Sequence, residues 1–168
     1  MKDYKNYIST LALVGALVPS LAMAATSEGE GTAQAKVVAP VTISEDFPLN
    51  FGTITNQGGT IDLGASGTFY DYDNIHVEDP NNYPGNGQIT ITGPSGVTVQ
   101  LVFPSGPVQI YAGGSGTPLD VYPYAENGDI AVLNDAGEEI VPVGGTLVVP
   151  SGADEGDYEG TYPIIVNY

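Results

Sequence analysis

Gly156-Asp157-Tyr158-Glu159-Gly160-Thr161-Tyr162-Pro163-Ile164-Ile165-Val166-Asn167-Tyr168 is the stretch that decides the fold. Tyr158, Tyr162, Ile164, Val166 and Tyr168 share one side of a two-residue period. Glu159, Thr161, Pro163 and Asn167 share the other, with Ile165 out of pattern. This alternation marks a β-strand buried on one face. Pro163 has no N–H to give to a ladder, so the strand belongs at a sheet edge or carries a bulge there. The stretch is expected to be the closing strand of a β-sandwich. Its outer side would be open to a chaperone, a neighbouring subunit or an assembly machine.

Upstream, from Ala35 onward, the chain reads as short strands and turns. Runs rich in Thr, Val, Ile, Tyr and Phe predict strands at 35–43, 47–54, 60–63, 74–78, 87–92, 96–103, 107–111, 119–125, 129–133, 139–141, 145–149 and 158–168. Pro-Ser-Gly recurs at 94–96, 104–106 and 150–152. Asn127-Gly128 predicts a two-residue hairpin, because both turn positions need positive φ. Asn134-Asp135-Ala136-Gly137 and Gly113-Gly114-Ser115-Gly116 read as looser turns. No window keeps a helical period and no repeat of fixed length appears. The expected fold is all-β: a single antiparallel β-sandwich, immunoglobulin-like or pilin-like, over residues 35–168.

Residues 1–24 have the organisation of a Sec-type leader. Lys2 and Lys5 precede the apolar run Ile8–Val18, and Ala22-Met23-Ala24 fits a small-x-small cleavage site. The run is too short to cross a bilayer core of about 30 Å. No cysteine follows it, which removes a lipoprotein anchor. Export to the periplasm, cell surface or exterior is therefore expected, with a mature chain from Ala25. Residues 25–34, small and acidic, are expected to form a flexible arm.

Cleavage sharpens the charge. Removing Lys2, Lys5 and Asp3 moves the net charge from −17 to −18 and leaves Lys36 as the one basic residue besides His76. Nucleic acid is disfavoured, since its binding rests on cationic contacts to phosphate. An anionic membrane surface is disfavoured for the same reason.

Three segments carry a family resemblance. They are Val41-Thr42-Ile43-Ser44 followed by Leu49-Asn50-Phe51-Gly52-Thr53-Ile54, then Val143-Gly144-Gly145-Thr146-Leu147-Val148-Val149, and finally Gly156–Tyr162 with Val166-Asn167-Tyr168. In this order and spacing they resemble a family of secreted bacterial proteins catalogued as domain of unknown function number 4402. The resemblance implies a β-sandwich surface protein with no assigned catalytic residues. It also implies, for some members, a link to gene clusters for chaperone–usher fibres. The 70–86 region, acidic and rich in Asn, departs from the family pattern.

Little of the chain suits catalysis. After the leader it has one His, one Lys, no Cys and no Gly-x-Ser-x-Gly elbow. An enzyme is not expected, although paired carboxylates alone would suffice for a glycosidase. Calcium is the better chemical possibility. Asp71, Asp73, Glu78 and Asp79 place hard oxygen ligands in a Pro- and Asn-rich stretch, with Asp154-Glu155-Gly156-Asp157 as a second cluster. The competing explanation is a solvated acidic face. Tyr70, Tyr72, Tyr83, Tyr111, Tyr122 and Tyr124 suggest either a sugar- or partner-binding face or simple cross-strand pairing.

Ala35, Val37, Ala39, Val41 and Ile43 alternate with Lys36, Val38, Pro40 and Thr42, the pattern of a segment donated to a neighbour's sheet. Against this, the same residues can form the domain's own first strand. The functional expectation is a non-enzymatic structural or adhesive surface protein, a fimbria-like fibre subunit or a matrix component. Its partners would be copies of itself or a periplasmic chaperone. The alternative is a soluble calcium- or carbohydrate-binding module. An outer-membrane barrel is disfavoured by the short strands and frequent prolines.

Overall fold

A computed structural model describes residues 28–125 and 128–168. The expected leader lies outside the described residues. Residues 28–41 form no strand, and all but Val41 are exposed. From there on, β-strands, joined by turns and loops, are the regular elements among the described residues. They are β1 (Thr42–Phe47), β2 (Thr53–Ile54), β3 (Gly59–Leu63), β4 (Phe69–Asp71), β5 (His76–Val77), β6 (Gly87–Thr92), β7 (Thr98–Val102), β8 (Val108–Ala112), β9 (Ser115–Ala125), β10 (Ile130–Val132), β11 (Glu138–Val149), β12 (Tyr158–Glu159) and β13 (Ile165–Asn167). All their pairings are antiparallel.

The main sheet has eight strands, with the path β1-β6-β11-β9-β8-β12 and with β3 and β4 attached through β11. A second sheet, β10-β7-β13, has three strands, and β2 pairs with β5 alone. The spine is β11. Its residues Glu138–Val143 pair with β6 and its residues Gly145–Val149 pair with β3, while Val143–Val148 pair with β9. Val141, Val143, Leu147 and Val149 all lie on its buried face, because a strand turns alternate residues to the same side.

Two apolar clusters lie along that face. One holds Ile89, Ile91, Val99, Leu101, Ala131, Leu133, Val141 and Val143, between β1-β6-β11 and the three-stranded sheet. The other holds Phe51, Ile61, Leu63, Ile75, Leu119, Val121, Leu147, Val149 and Ala153, under β2, β5 and the loops around them. Gly144 and Gly145 mark the boundary. A Cβ on Gly144 would stand 2.5 Å from the Ala65 nitrogen and 2.6 Å from the Leu63 oxygen. One on Gly145 would stand 2.8 Å from Leu49 Cδ2. Among the described residues no polar or charged residue is fully buried.

Several expected boundaries move. Strand 139–141 and strand 145–149 are one strand. Pro142 and the glycine pair do not interrupt it: Pro142 sits where β11 has a single strand partner, and the glycines are needed for the close crossing. The expected strand 35–43 begins only at Thr42, and of 47–54 only Phe47, Thr53 and Ile54 are in strands.

The closing strand 158–168 is two strands in two sheets. β12 pairs with β8, β13 pairs with β7, and Gly160–Ile164 cross between. Its alternation survives the crossing: Tyr158, Tyr162, Ile164 and Val166 pack inward. Tyr168 is the exception and is exposed. Pro163 lies in the unpaired crossing. Burial, with Glu45 beside it, pushes the Tyr162 phenol up to about 12.

Asn127, in the expected hairpin with Gly128, lies outside the described residues. The strands on either side, β9 and β10, lie in different sheets. The tight hairpin is instead Gly113-Gly114 between β8 and β9, with φ of 57° and 80°.

Gly144→Ala is expected to destabilise the fold by about 3 kcal/mol, the upper range for overpacking against backbone. Gly106→Ala meets nothing within 4 Å and is expected to change stability by less than about 0.5 kcal/mol. Urea unfolding of the two variants compares them directly. Equal effects would show that the crossing is not tightly constrained.

Candidate functional site

The acidic 71–82 stretch folds as a set of turns organised by its own carboxylates. Asp71 accepts from the backbone N–H groups of Asp73 (3.3 Å), Ile75 (3.1 Å) and His76 (2.8 Å). These bonds draw the chain around Asn74, which has φ of 55°. Asp73 Oδ2 accepts from the Thr60 N–H at 2.8 Å, tying the turn to β3. Asp79 accepts from the Asn81 N–H at 2.9 Å and from the Thr53 hydroxyl at 3.0 Å. Short side chains accepting from N–H groups two residues on are the usual chemistry of such turns.

The electrostatics agree. Burial raises the Asp71 pKa, but the N–H groups of His76, Ile75, Asp73 and Asn74 outweigh it and hold the carboxyl below its ordinary range. The Asn81 N–H and Thr53 hydroxyl do the same for Asp79. Glu78 is exposed. Among the described residues no three acidic or histidine side chains converge on a point that would hold a metal ion. His76 is half-buried, with its ring edge-on to Phe69 at 5.0 Å and its Nδ1 unpartnered.

The tyrosines divide. Tyr70 lies opposite Asp62, Asp62 opposite Thr146, and Thr146 opposite Tyr122, so these four share the outer face of the main sheet. Tyr124 is on the same face and donates its hydroxyl to Asp62 Oδ1 at 3.0 Å, as does Thr146 at 3.1 Å. Tyr70 and Tyr72 stack at 6.2 Å with an 18° tilt and are both exposed. Tyr111 donates to Gln109 at 2.8 Å. Tyr83 lies apart, in the loop that meets Asn50. Cross-strand placement and an exposed aromatic face thus coexist.

Of the proposed donor residues, Ala35, Val37 and Ala39 are exposed and unpaired. Val41 packs half-buried against the cluster around Ile91. Ile43 lies in β1 opposite Ile91. The segment is therefore divided: its end belongs to its own domain and its beginning to no strand.

Sequence reasoning missed a cavity. Between β2 and β12 there is a cavity of about 640 Å³ whose lining includes Leu49, Phe51, Leu147 and Tyr158. A second, of about 410 Å³, shares Ile54, Leu119, Gly156 and Tyr158 with it, so the two form one groove. The three segments quoted above, far apart in sequence, all contribute to its lining. Their spacing was visible in the sequence; their convergence depends on β11 passing behind the groove.

Asp71→Ala is expected to cost about 1 kcal/mol at neutral pH, the low end for lost charge-assisted bonds because water reaches this carboxylate. The sign with pH follows from the lowered pKa. The stabilisation is present above about pH 4, the unfolded value, and is lost as pH falls through the lower folded value. Wild type and variant should therefore converge in acid, and their gap at neutral pH should be the same in excess Ca²⁺ as in a chelator. Thermal unfolding checks both points; a gap that opens only with Ca²⁺ would show that the turn serves a metal.

No curated protein and no solved structure matches the chain. Residues 41–168 match one family profile over most of the chain, from the start of the first segment to the last residue of the third. The chain belongs to the family described as Domain of unknown function (DUF4402).

Proposed function

We propose that this chain is an exported, non-catalytic structural protein of the bacterial surface that associates with copies of itself, as a fibre subunit or matrix component. One observation carries the reading. The outer face of the three-stranded sheet bears Val102, Ile130, Val132 and Ile165, exposed by 39%, 64%, 54% and 58%. Their cross-strand neighbours there are Thr98, Gln100 and Asn167, so the face holds no charge. In a protein of net charge −17 such a face is where like-charged copies meet with least repulsion. The leader-like first 24 residues support export.

Sedimentation of the mature chain from Ala25 should show concentration-dependent association. Ile130→Asp with Val132→Asp should abolish it without unfolding, since both side chains point to solvent. In the host, electron microscopy should show surface fibres or matrix that vanish with the gene. An unchanged surface would overturn the reading.

A second reading has its own observation, the stacked and exposed Tyr70 and Tyr72 beside Asp62, Tyr122 and Tyr124. Flat aromatic rings flanked by oxygen acceptors suit a neutral sugar chain, whose C–H faces stack and whose hydroxyls donate. The acidic surface excludes an anionic one. Retardation of the protein in gels containing neutral polysaccharides, reduced about tenfold in affinity by Tyr70→Ala with Tyr72→Ala, tests it. Equal mobility of wild type and variant in every polysaccharide would remove it.

A further inference from the structure

We infer that the groove between β2 and β12 receives the segment Ala35–Ala39 of a second copy of this chain. The inference rests on the self-association proposed above and adds to it a second contact, apart from the face of the three-stranded sheet.

The groove has the form of a missing strand. β2 pairs only with β5, and β12 only with β8, so each has a second edge without a strand partner. Backbone N–H and C=O groups on such edges are templates for an added strand. Ile54, Ile110 and Leu119 supply apolar surface between them.

The occupant is identified by charge and by exposure. Glu155, Asp157 and Glu159 stand at the rim, exposed, their carboxylates with neither hydrogen bonds nor ion pairs. Lys36 is the one lysine or arginine beyond residue 5, and it too is exposed and unpaired. It stands next to Val37 and Val38, which are 94% and 50% exposed in a segment that forms no strand. Laid in the groove as an extended strand, Val37 would face the apolar floor while Lys36 faced the opposite way, toward the acidic rim. Any other stretch beyond residue 5 would bring no lysine or arginine to these three unpaired carboxylates.

The test is a charge exchange in the full mature chain. Lys36→Glu alone, and Asp157→Lys with Glu159→Lys alone, are each expected to weaken association about tenfold. Mixing the two variants is expected to restore it, because each mixed contact again pairs opposite charges. Val37→Asp should weaken association without shifting thermal unfolding, since the side chain is exposed in the single chain. Association unchanged by Lys36→Glu and Val37→Asp, yet abolished by Ile130→Asp with Val132→Asp, would overturn this contact and leave self-association standing. A wild type that stays monomeric at every concentration removes both. A monomer whose unfolding temperature falls on Val37→Asp would place the segment in its own groove and also overturn the inference.

Discussion

Two backbone segments pass within van der Waals distance of each other where β11 crosses the end of β3. The contact tolerates no side chain at residue 144, and little at residue 145. Much else depends on it. Above the crossing β11 pairs with β6 and closes one apolar cluster; below it, β11 pairs with β3 and closes the other. A bulkier residue would push β3 away, and β3 carries β4 and the turn that Asp71 and Asp73 organise. The same displacement would move Leu49 and Phe51, which pack at the glycine pair and line the groove beyond it. Core, acidic turns and groove are thus coupled through one place where chain meets chain.

The two clusters contain only apolar residues, so they provide cohesion but little direction. Direction comes from backbone geometry. Glycines with positive φ at 113–114 and 137 set the turns after β8 and before β11. Asn134 accepts from the N–H groups of Ala136 and Glu138 and so fixes where β11 begins. Two of the three Pro-Ser-Gly turns, ending at Gly96 and Gly152, have positive φ at the glycine; the third does not. The acidic residues, kept out of the interior, do local work in turns or line open rims.

Alternation made much of this legible. β6 occurs at the predicted 87–92, and β3, β7, β8 and β10 differ by a residue or two at their ends. A two-residue period reports which face is buried, but it does not report which sheet does the burying. That is why Tyr158, Tyr162, Ile164 and Val166 were legible as inward residues while the change of sheet at Gly160–Ile164 was not. The glycine pair in β11 looked like a break for a related reason: punctuation and close approach use the same residue. At the acidic stretch, composition pointed to oxygen ligands but not to the N–H groups that those oxygens already accept. The groove had no local signature, since its walls come from segments about a hundred residues apart.

β1 is held differently from every other long strand. All six of its residues are exposed, and it is joined to the sheet by its ladder with β6, a Thr42–Thr92 hydroxyl bond and the grip of Asp46 on Gln88 and Thr90. Nothing large must leave the interior for it to detach, apart from Val41 at its root. Tension applied through residues 28–40 would therefore peel β1 from β6 before disturbing either cluster. Six residues of freed chain lengthen the link by about 20 Å. Because the ladder re-forms when the load is released, a protein tethered by that segment would stretch and recoil at its joints while its folded body stayed whole.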